Sequence, residues 1–424
     1  MIGISSPNEC WLKKNGKRVF RTLCLALGID RLVGFVCRRC IRTEPRKVAF
    51  ASFWGRGFAD NPKYVALELL RRRPDLDLVW LCNNQAAVAK TLPHGIRTAP
   101  YGGLGGLREA ATAAVRVDNQ VINLLRAGFE KKPDQLYVQT WHGSLGIKRI
   151  GFDFAPGRLA WKDRHDNRVK DGAMVDALIS NSDFESEIYR QQWFGGGTIH
   201  LFGHPRNDIL VNGLDAAAVQ NVRARLGVPE AEKLLLYAPT FRDDVPGYDY
   251  SFDAAAVLAA AEKRFGGTWR LAVRRHPKMS QQAFSRFSGH SMLDVSDYPD
   301  MQELLCVAEA LMTDYSSCMF DFMLTGRPVF VYAPDLERYE TDRGFYYPIS
   351  ETPFPVARTE ADLAAAVANF DEPSYRDRCA AFLKGKGCVE DGRAAERTAD
   401  LILRWLDEQH PSTCSGSASN GENA

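Results

Sequence analysis

Apolar positions along this chain alternate between short runs rich in β-branched and aromatic residues and longer stretches with helical spacing, from Lys47 almost to the end. VAFASFW (48–54), residues 76–82, QVINLL (120–125), LYVQTW (136–141), DALISNS (176–182) and TIHLFG (198–203) read as strands. Residues 62–72, opened by Asn61-Pro62, together with 107–115 and 185–192, read as helices, and 101–106 as a glycine-rich turn. A polar helix and connector over 214–232 interrupts the rhythm, which restarts with LLLYAPT (234–240), WRLAVRRHP (269–277), EALMTDYSS (309–317) and PVFVYAP (328–334). Helices are expected between these at 253–264, 301–308 and 318–324.

Strand–helix alternation of this kind builds mostly parallel sheets covered by helices. Two doubly wound halves meeting near residue 215 predict an α/β architecture of the GT-B type, with two tandem Rossmann-like domains and a cleft between them. The predicted boundaries are an arm at 1–45, a first domain at 46–214, a second at 215–393 and a helix at 394–410 returning to the first half. The Ser-, Gly- and Asn-rich tail 411–424 has no apolar pattern and is expected to be disordered.

The formal charge of +2 is uninformative until it is located. Eleven Lys and Arg fall in the first fifty residues against Glu9, Asp30 and Glu44, so the remainder is mildly acidic, which argues against nucleic acid as a partner. Around Val19–Ile41, Phe20, Leu23, Leu27, Leu32 and Phe35 fall near helical spacing among arginines. Such a basic amphipathic stretch suits either an anionic membrane surface or packing against the first domain. No apolar run approaches twenty residues and no signal-peptide pattern is present, so a cytoplasmic protein, peripheral at the inner face of the membrane, is expected. Cys37 and Cys40 form a CxxC without a second pair, and read as two residues on the apolar side of a short helix rather than as a zinc or redox site.

Ligands of open parallel sheets collect beyond the carboxyl ends of strands, and four such turns carry unusual polar groups. His142, in Trp141-His142-Gly143-Ser144, can take a proton near neutrality, and Gly143 lets another molecule approach. His276-Pro277 follows a strand and stands beside Arg274 and Arg275. Ser316 and Ser317, after Thr313-Asp314-Tyr315, open an apolar helix as caps or as receptors for phosphate. Arg242, in Ala238-Pro239-Thr240-Phe241-Arg242, could grip a phosphate with two donors. The glycines at 102, 103, 105 and 106 do not fit a dinucleotide fingerprint, and the phosphate-loop lysine motif is missing, so dehydrogenase and kinase readings fall away.

The order WHG, GHPRND, YAPTFRD, RRHP and TDYSSCMFDF, with the long stretch 313–348, resembles the CDP-glycerol glycerophosphotransferase family of teichoic-acid polymerases and primases. The resemblance runs from about residue 61 to 397. Two departures stand out: Ser144-Leu145-Gly146-Ile147-Lys148 where the family usually has Thr-Pro-Leu-Lys, and His204 where it has tyrosine. Asp391-Gly392-Arg393 resembles a late family motif without an assigned role.

The resemblance implies a transferase that takes an alditol phosphate from a CDP-alditol and passes it to a polymer or lipid-linked acceptor. It assigns His142 as base on the acceptor hydroxyl, and His276 with Ser316 and Ser317 to the donor diphosphate. Arg242 joins that phosphate group, and Gly143, Asn207, Asp314 and Arg343 are candidate donor or acceptor contacts. No cofactor is required and no protein metal site is expected, magnesium being compatible through the donor diphosphate. The alternatives are a GT-B glycosyltransferase using a CMP- or UDP-sugar and a non-catalytic polymer-binding protein of the same fold. Alditol, acceptor and oligomeric state stay open.

Overall fold

The computed structural model describes residues 29–122, 129–153, 168–192, 196–242, 245, 247–276, 278–287 and 292–409. Most of the basic arm and the tail 411–424 lie outside the described residues.

Two all-parallel sheets carry the chain. The first holds β1 (Glu44–Ala51), β2 (Asp77–Cys82), β3 (Ile96–Pro100), β4 (Ala113–Asp118), β5 (Leu136–Gln139), β6 (Ala177–Ser180) and β7 (Thr198–Leu201), in the order β3-β2-β1-β4-β5-β6-β7. The second holds β8 (Glu232–Tyr237), β9 (Thr268–Val273), β10 (Leu293–Asp294), β11 (Ala310–Thr313), β12 (Val329–Tyr332) and β13 (Val356–Ala357), in the order β10-β9-β8-β11-β12-β13. Helices cover both faces, so the central strands are buried over their carboxyl-terminal parts and read there as continuous apolar runs. In each sheet the order reverses beside its first strand, which creates a crevice at the carboxyl edge between β1 and β4 and another between β8 and β11.

Six helices bear on the site: α1 (Ile29–Cys40), α2 (Asp60–Arg72), α3 (Gly103–Thr112), α4 (Cys318–Met323), α5 (Leu336–Arg343) and α6 (Ala394–Gln409). The last returns to the first half, where Ala399, Ile402, Leu403 and Leu406 join the core around β1 and β2. The side of α1 bearing Val33 and Cys37 packs on the first domain near α3, while Leu32, Phe35 and Cys40 are exposed. Cys37 and Cys40 therefore do not share the apolar side.

One predicted boundary fails. The expected helix 107–115 ends at Thr112, and the next strand is Ala113–Asp118 rather than 120–125. The strand was hidden because it carries a buried ion pair, Arg116 to Asp118 at 2.9 Å, in place of two apolar residues. The short edge strands β3, β10 and β13 also lack an apolar signature of their own.

The seam between the halves is held by buried charge. Arg206 donates to Asp60 at the start of α2 and to Asp321 in α4, each at 3.1 Å, and its side chain is almost wholly enclosed. Lys63 of α2 likewise reaches Asp300 and Glu303 in the second half. Removing one member of such a cluster leaves its partners charged and dry. Arg206→Met is expected to lower unfolding free energy by about 3–5 kcal/mol. By contrast, Arg393→Ala breaks only an exposed pair with Glu396 and should shift stability by less than about 1 kcal/mol. Urea denaturation midpoints of the two variants compare these losses directly.

Candidate functional site

The first crevice is built from turns that hold each other in unusual backbone conformations. After β1, Phe53 and Trp54 adopt φ of 46° and 58°, and the Phe53 N–H donates to Oδ1 of Asn119 at 2.8 Å, tying this turn to the one after β4. After β5, Trp141 has φ 51° and Leu145 has φ 45°. Asn61 holds that loop by donating from Nδ2 to the carbonyls of Thr140 and Trp141, at 3.2 and 3.1 Å. With Asp60 at φ 63°, these are the non-glycine residues of positive φ among the described residues, and they lie in the loops leaving β1 and β5 or, for Asp60, at the start of α2. Each such residue costs about 1–3 kcal/mol, so the strain is concentrated where the sheet presents its polar groups.

His142 stands in this strained loop. Its Nδ1 lies 2.8 Å from the carbonyl oxygen of Asn119, so Nδ1–H donates there and Nε2 keeps its lone pair. Nε2 faces the Gln120 side-chain amide at 3.3 Å. Burial pushes the imidazole down to about 4, with Arg206 and Arg168 acting in the same direction against the Asn119 carbonyl and the Asp60 carboxylate. The ring is thus neutral at physiological pH. Phe53 packs edge-on to it at 5.7 Å. A Cβ on Gly143 would come 3.1 Å from the Trp141 indole nitrogen.

Opposite, a cavity of about 300 Å³ opens between the halves, lined by Phe53 and Asp60 from the first and by Arg274, His276, Gln302 and Ser316 from the second. His276 is exposed and accepts the Lys278 N–H on Nδ1 at 3.2 Å, which leaves Nε2 as the proton-bearing nitrogen. Its ring stacks on Phe241 with centroids 5.5 Å apart. Arg274 donates to the carbonyl of Tyr298 at 2.7 Å and has no carboxylate within ion-pair distance among the described residues. Burial lowers its pKa, which an anion in the cavity would counter.

Ser316 and Ser317 are both partly exposed. Ser317 makes no side-chain cap, and the Ser316 hydroxyl lies 3.5 Å from the Cys318 nitrogen, too long to be a strong cap. Because α4 has only six residues its dipole is small, so an anion here would rely on the hydroxyls and the neighbouring cations.

Three expected contacts are turned elsewhere. The Arg242 guanidinium is buried, paired with Asp335 through two bonds of 2.7 and 2.9 Å, with Asp314 at 2.8 Å and with the Thr240 carbonyl at 2.6 Å. It also lies over the rings of Tyr248, Tyr315 and Tyr339. Its charge is neutralised internally, so it pins loops beneath the site instead of meeting a phosphate. Asp314 is spent on Arg242 and on the backbone N–H groups of Thr240 and Tyr315. Asn207 is fully enclosed and donates to Glu390 at 2.8 Å. Arg343, at the end of α5, is partly exposed and close enough to Lys148 to depress its pKa.

Sequence alone does not point to Asn119 and Gln120, and it names Arg274 only as a neighbour of His276. A strand at 120–125 puts Asn119 before it and Gln120 inside it, when they are the first residues beyond the carboxyl end of β4. Arg274 was flagged beside His276 but outranked by Arg242, and no feature of sequence distinguishes a paired from an unpaired arginine.

Comparison with known proteins fits this geometry. The chain is 30% identical over 378 residues to the teichoic acid poly(glycerol phosphate) polymerase of Staphylococcus epidermidis, covering 86% of this chain and 52% of that protein. With the Bacillus subtilis polymerase of the same description it shares 29% over 371 residues, 85% of this chain and 49% of that one. It therefore spans about half the length of these relatives. The Staphylococcus aureus teichoic acid glycerol-phosphate transferase is matched over 92% of its length and 84% of this chain, at 30% identity. The solved wall teichoic acid polymerase TagF superposes with a TM-score of 0.77 at 27% identity, covering 94% of this chain and 99% of that one. A His-to-Asn variant of TagF soaked with CDPG gives 0.78, over 94% and 98% of the two chains. Residues 34–404 match the model of the CDP-glycerol:poly(glycerophosphate) glycerophosphotransferases, and the chain belongs to that family.

Proposed function

We propose that this chain is an enzyme that transfers glycerol phosphate from CDP-glycerol to a hydroxyl of a polymer or lipid-linked acceptor, releasing CMP. The observation that carries the reading is the pairing of two crevices. A neutral histidine whose Nε2 lone pair meets the Gln120 side-chain amide at 3.3 Å stands on one sheet edge, and a cavity bearing Arg274, His276 and Ser316 opens from the other.

In this reading the acceptor hydroxyl gives its proton to Nε2 of His142 as its oxygen attacks the β-phosphorus. The P–O bond to the bridging oxygen breaks, and its electron pair leaves with CMP. Negative charge then grows on the departing α-phosphate, where His276 Nε2–H, the Arg274 guanidinium and the Ser316 and Ser317 hydroxyls can receive it. The Asn119 carbonyl holds Nδ1–H and stabilises the imidazolium that forms. A resting pKa near 4 makes His142 a weak base, which the approach of the anionic donor strengthens. No resident metal is invoked, and magnesium, where it contributes, travels with the donor diphosphate.

The membrane reading also belongs to this proposal. No described helix is long and apolar enough to cross a bilayer. On α1, however, Leu32 and Phe35 are 63% and 59% exposed beside Arg38 and Arg39, and Leu104 of α3 is 78% exposed. This supports a cytoplasmic enzyme resting on an anionic inner leaflet through its amino-terminal arm.

His142→Ala should lower transfer by about 100-fold or more while CDP-glycerol affinity is largely kept. In the parent, kcat/KM should carry no His142 limb near neutrality; that limb should appear as pH drops toward about 4, where the ring takes up a proton. CMP release from CDP-glycerol, CDP-ribitol, CMP- and UDP-sugars, measured with purified protein and acceptor, tests the donor; release from sugar nucleotides alone refutes the reading. Ser316→Ala with Ser317→Ala should weaken CDP-glycerol and CMP alike, as read by calorimetry. The full chain should sediment with anionic liposomes at low salt and be released at high salt, and removal of residues 1–45 should abolish this.

A further inference from the structure

The loop that carries His142 continues into the second domain's territory. Arg149 N–H donates to the Gly344 carbonyl at 3.0 Å, Tyr346 N–H to the Ile147 carbonyl at 2.7 Å, and Lys148 forms an antiparallel bridge with Phe345. The Arg149 side chain adds a bond to the Phe345 carbonyl at 3.2 Å. Gly146 brings the same loop against Ser317, whose Cβ would lie 3.8 Å from a Cβ built on the glycine. Lys148 is therefore fixed by its backbone on both sides, next to the serine turn.

Its side chain lacks what such burial normally demands. Lys148 is partly buried, yet among the described residues its ammonium has neither a hydrogen bond nor a carboxylate within ion-pair distance. The charged and titratable groups around it are Arg343 from α5, Arg242, Asp314 and Cys318. Asp314 already serves Arg242 at 2.8 Å, and Cys318 lines the cavity beside Ser316. Burial, followed by repulsion from Arg343, lowers the Lys148 pKa to about 8. A desolvated ammonium beside a second cation is unfavourable alone and favourable once an anion sits between them.

We propose that Lys148 is a further phosphate anchor of this enzyme, binding a phosphoryl oxygen from the first domain's side while Arg274, His276 and the serines hold the phosphate from the second. This rests on the proposed function for the identity of the donor, though not for the anion-binding chemistry. A phosphoryl group could come from the donor diphosphate or from the terminal phosphodiester of the acceptor. The nearness of Ser317 and Cys318 favours the donor.

The test uses full-length protein carrying Lys148→Met or Lys148→Arg, with inorganic pyrophosphate, CMP and CDP-glycerol as calorimetric probes and thermal melting as the check on folding. Lys148→Met is expected to weaken pyrophosphate and CDP-glycerol by about 10- to 100-fold, the loss of one charge-assisted hydrogen bond, and Lys148→Arg should recover most of it. Parent affinity should also decline as pH rises through about 8, where the ammonium is lost, and this decline should be absent from both variants. Unchanged probe binding with a raised KM for acceptor would move the anchor to the acceptor's phosphate and overturn the donor assignment. Unchanged binding and unchanged KM in a folded Lys148→Met would overturn the proposal altogether. Should the parent bind pyrophosphate but not CDP-glycerol, the donor reading fails while Lys148 is still tested by pyrophosphate.

Discussion

Charge taken out of water where the two halves meet sets the terms for the rest of this molecule. In the run His204–Asp208 the side chains of Arg206, Asn207 and Asp208 each hold a distant segment. Arg206 joins Asp60 to Asp321, while Asn207 and the His204 backbone N–H are taken by Glu390. Asp208 accepts the first amides of α6, at 2.9 and 2.8 Å. Asp391-Gly392-Arg393 finds its role here too, since Gly392 takes φ 79° against Asn212 and lets the chain enter that helix. Burial raises Glu390 to about 7 and Asp208 to about 6. A seam made this way is specific because few other arrangements could satisfy so many enclosed charges.

The same seam underwrites the strained turns above it. Asp60 is both a partner of Arg206 and one wall of the cavity, and Asn61 beside it fastens the His142 loop. Unfavourable φ values at Phe53, Trp54, Trp141 and Leu145 persist because hydrogen bonds and packing from neighbouring elements over-determine them. His142 thereby gains a fixed tautomer and orientation without depending on a ligand to impose them.

Much of this was legible in the sequence, and the limits have physical reasons. Continuous apolar runs gave away the central strands because both faces of a parallel sheet are covered. They failed at β4, where a buried ion pair replaced apolar residues and carried Asn119 and Gln120 out of view. Residue type and position after a strand single out His142, His276 and Ser316, and the last two line the cavity. The same signal misjudged Arg242 and Asp314, because an arginine and an aspartate following two neighbouring strands are as well placed to neutralise each other as to bind a ligand. Only side-chain geometry separates those outcomes. The departure at Ser144–Lys148 leads, in the fold, into a ribbon in which residues 147–149 join residues 344–346.

That ribbon has a mechanical meaning. The loop bearing the histidine is anchored at its near end to β5 and at its far end to the opposite half of the protein, so it spans the seam like a connecting rod. Any rotation that widens the cleft must stretch the rod, break its backbone hydrogen bonds, or swing the imidazole with it. Widening the cleft and shifting the imidazole are thus one movement.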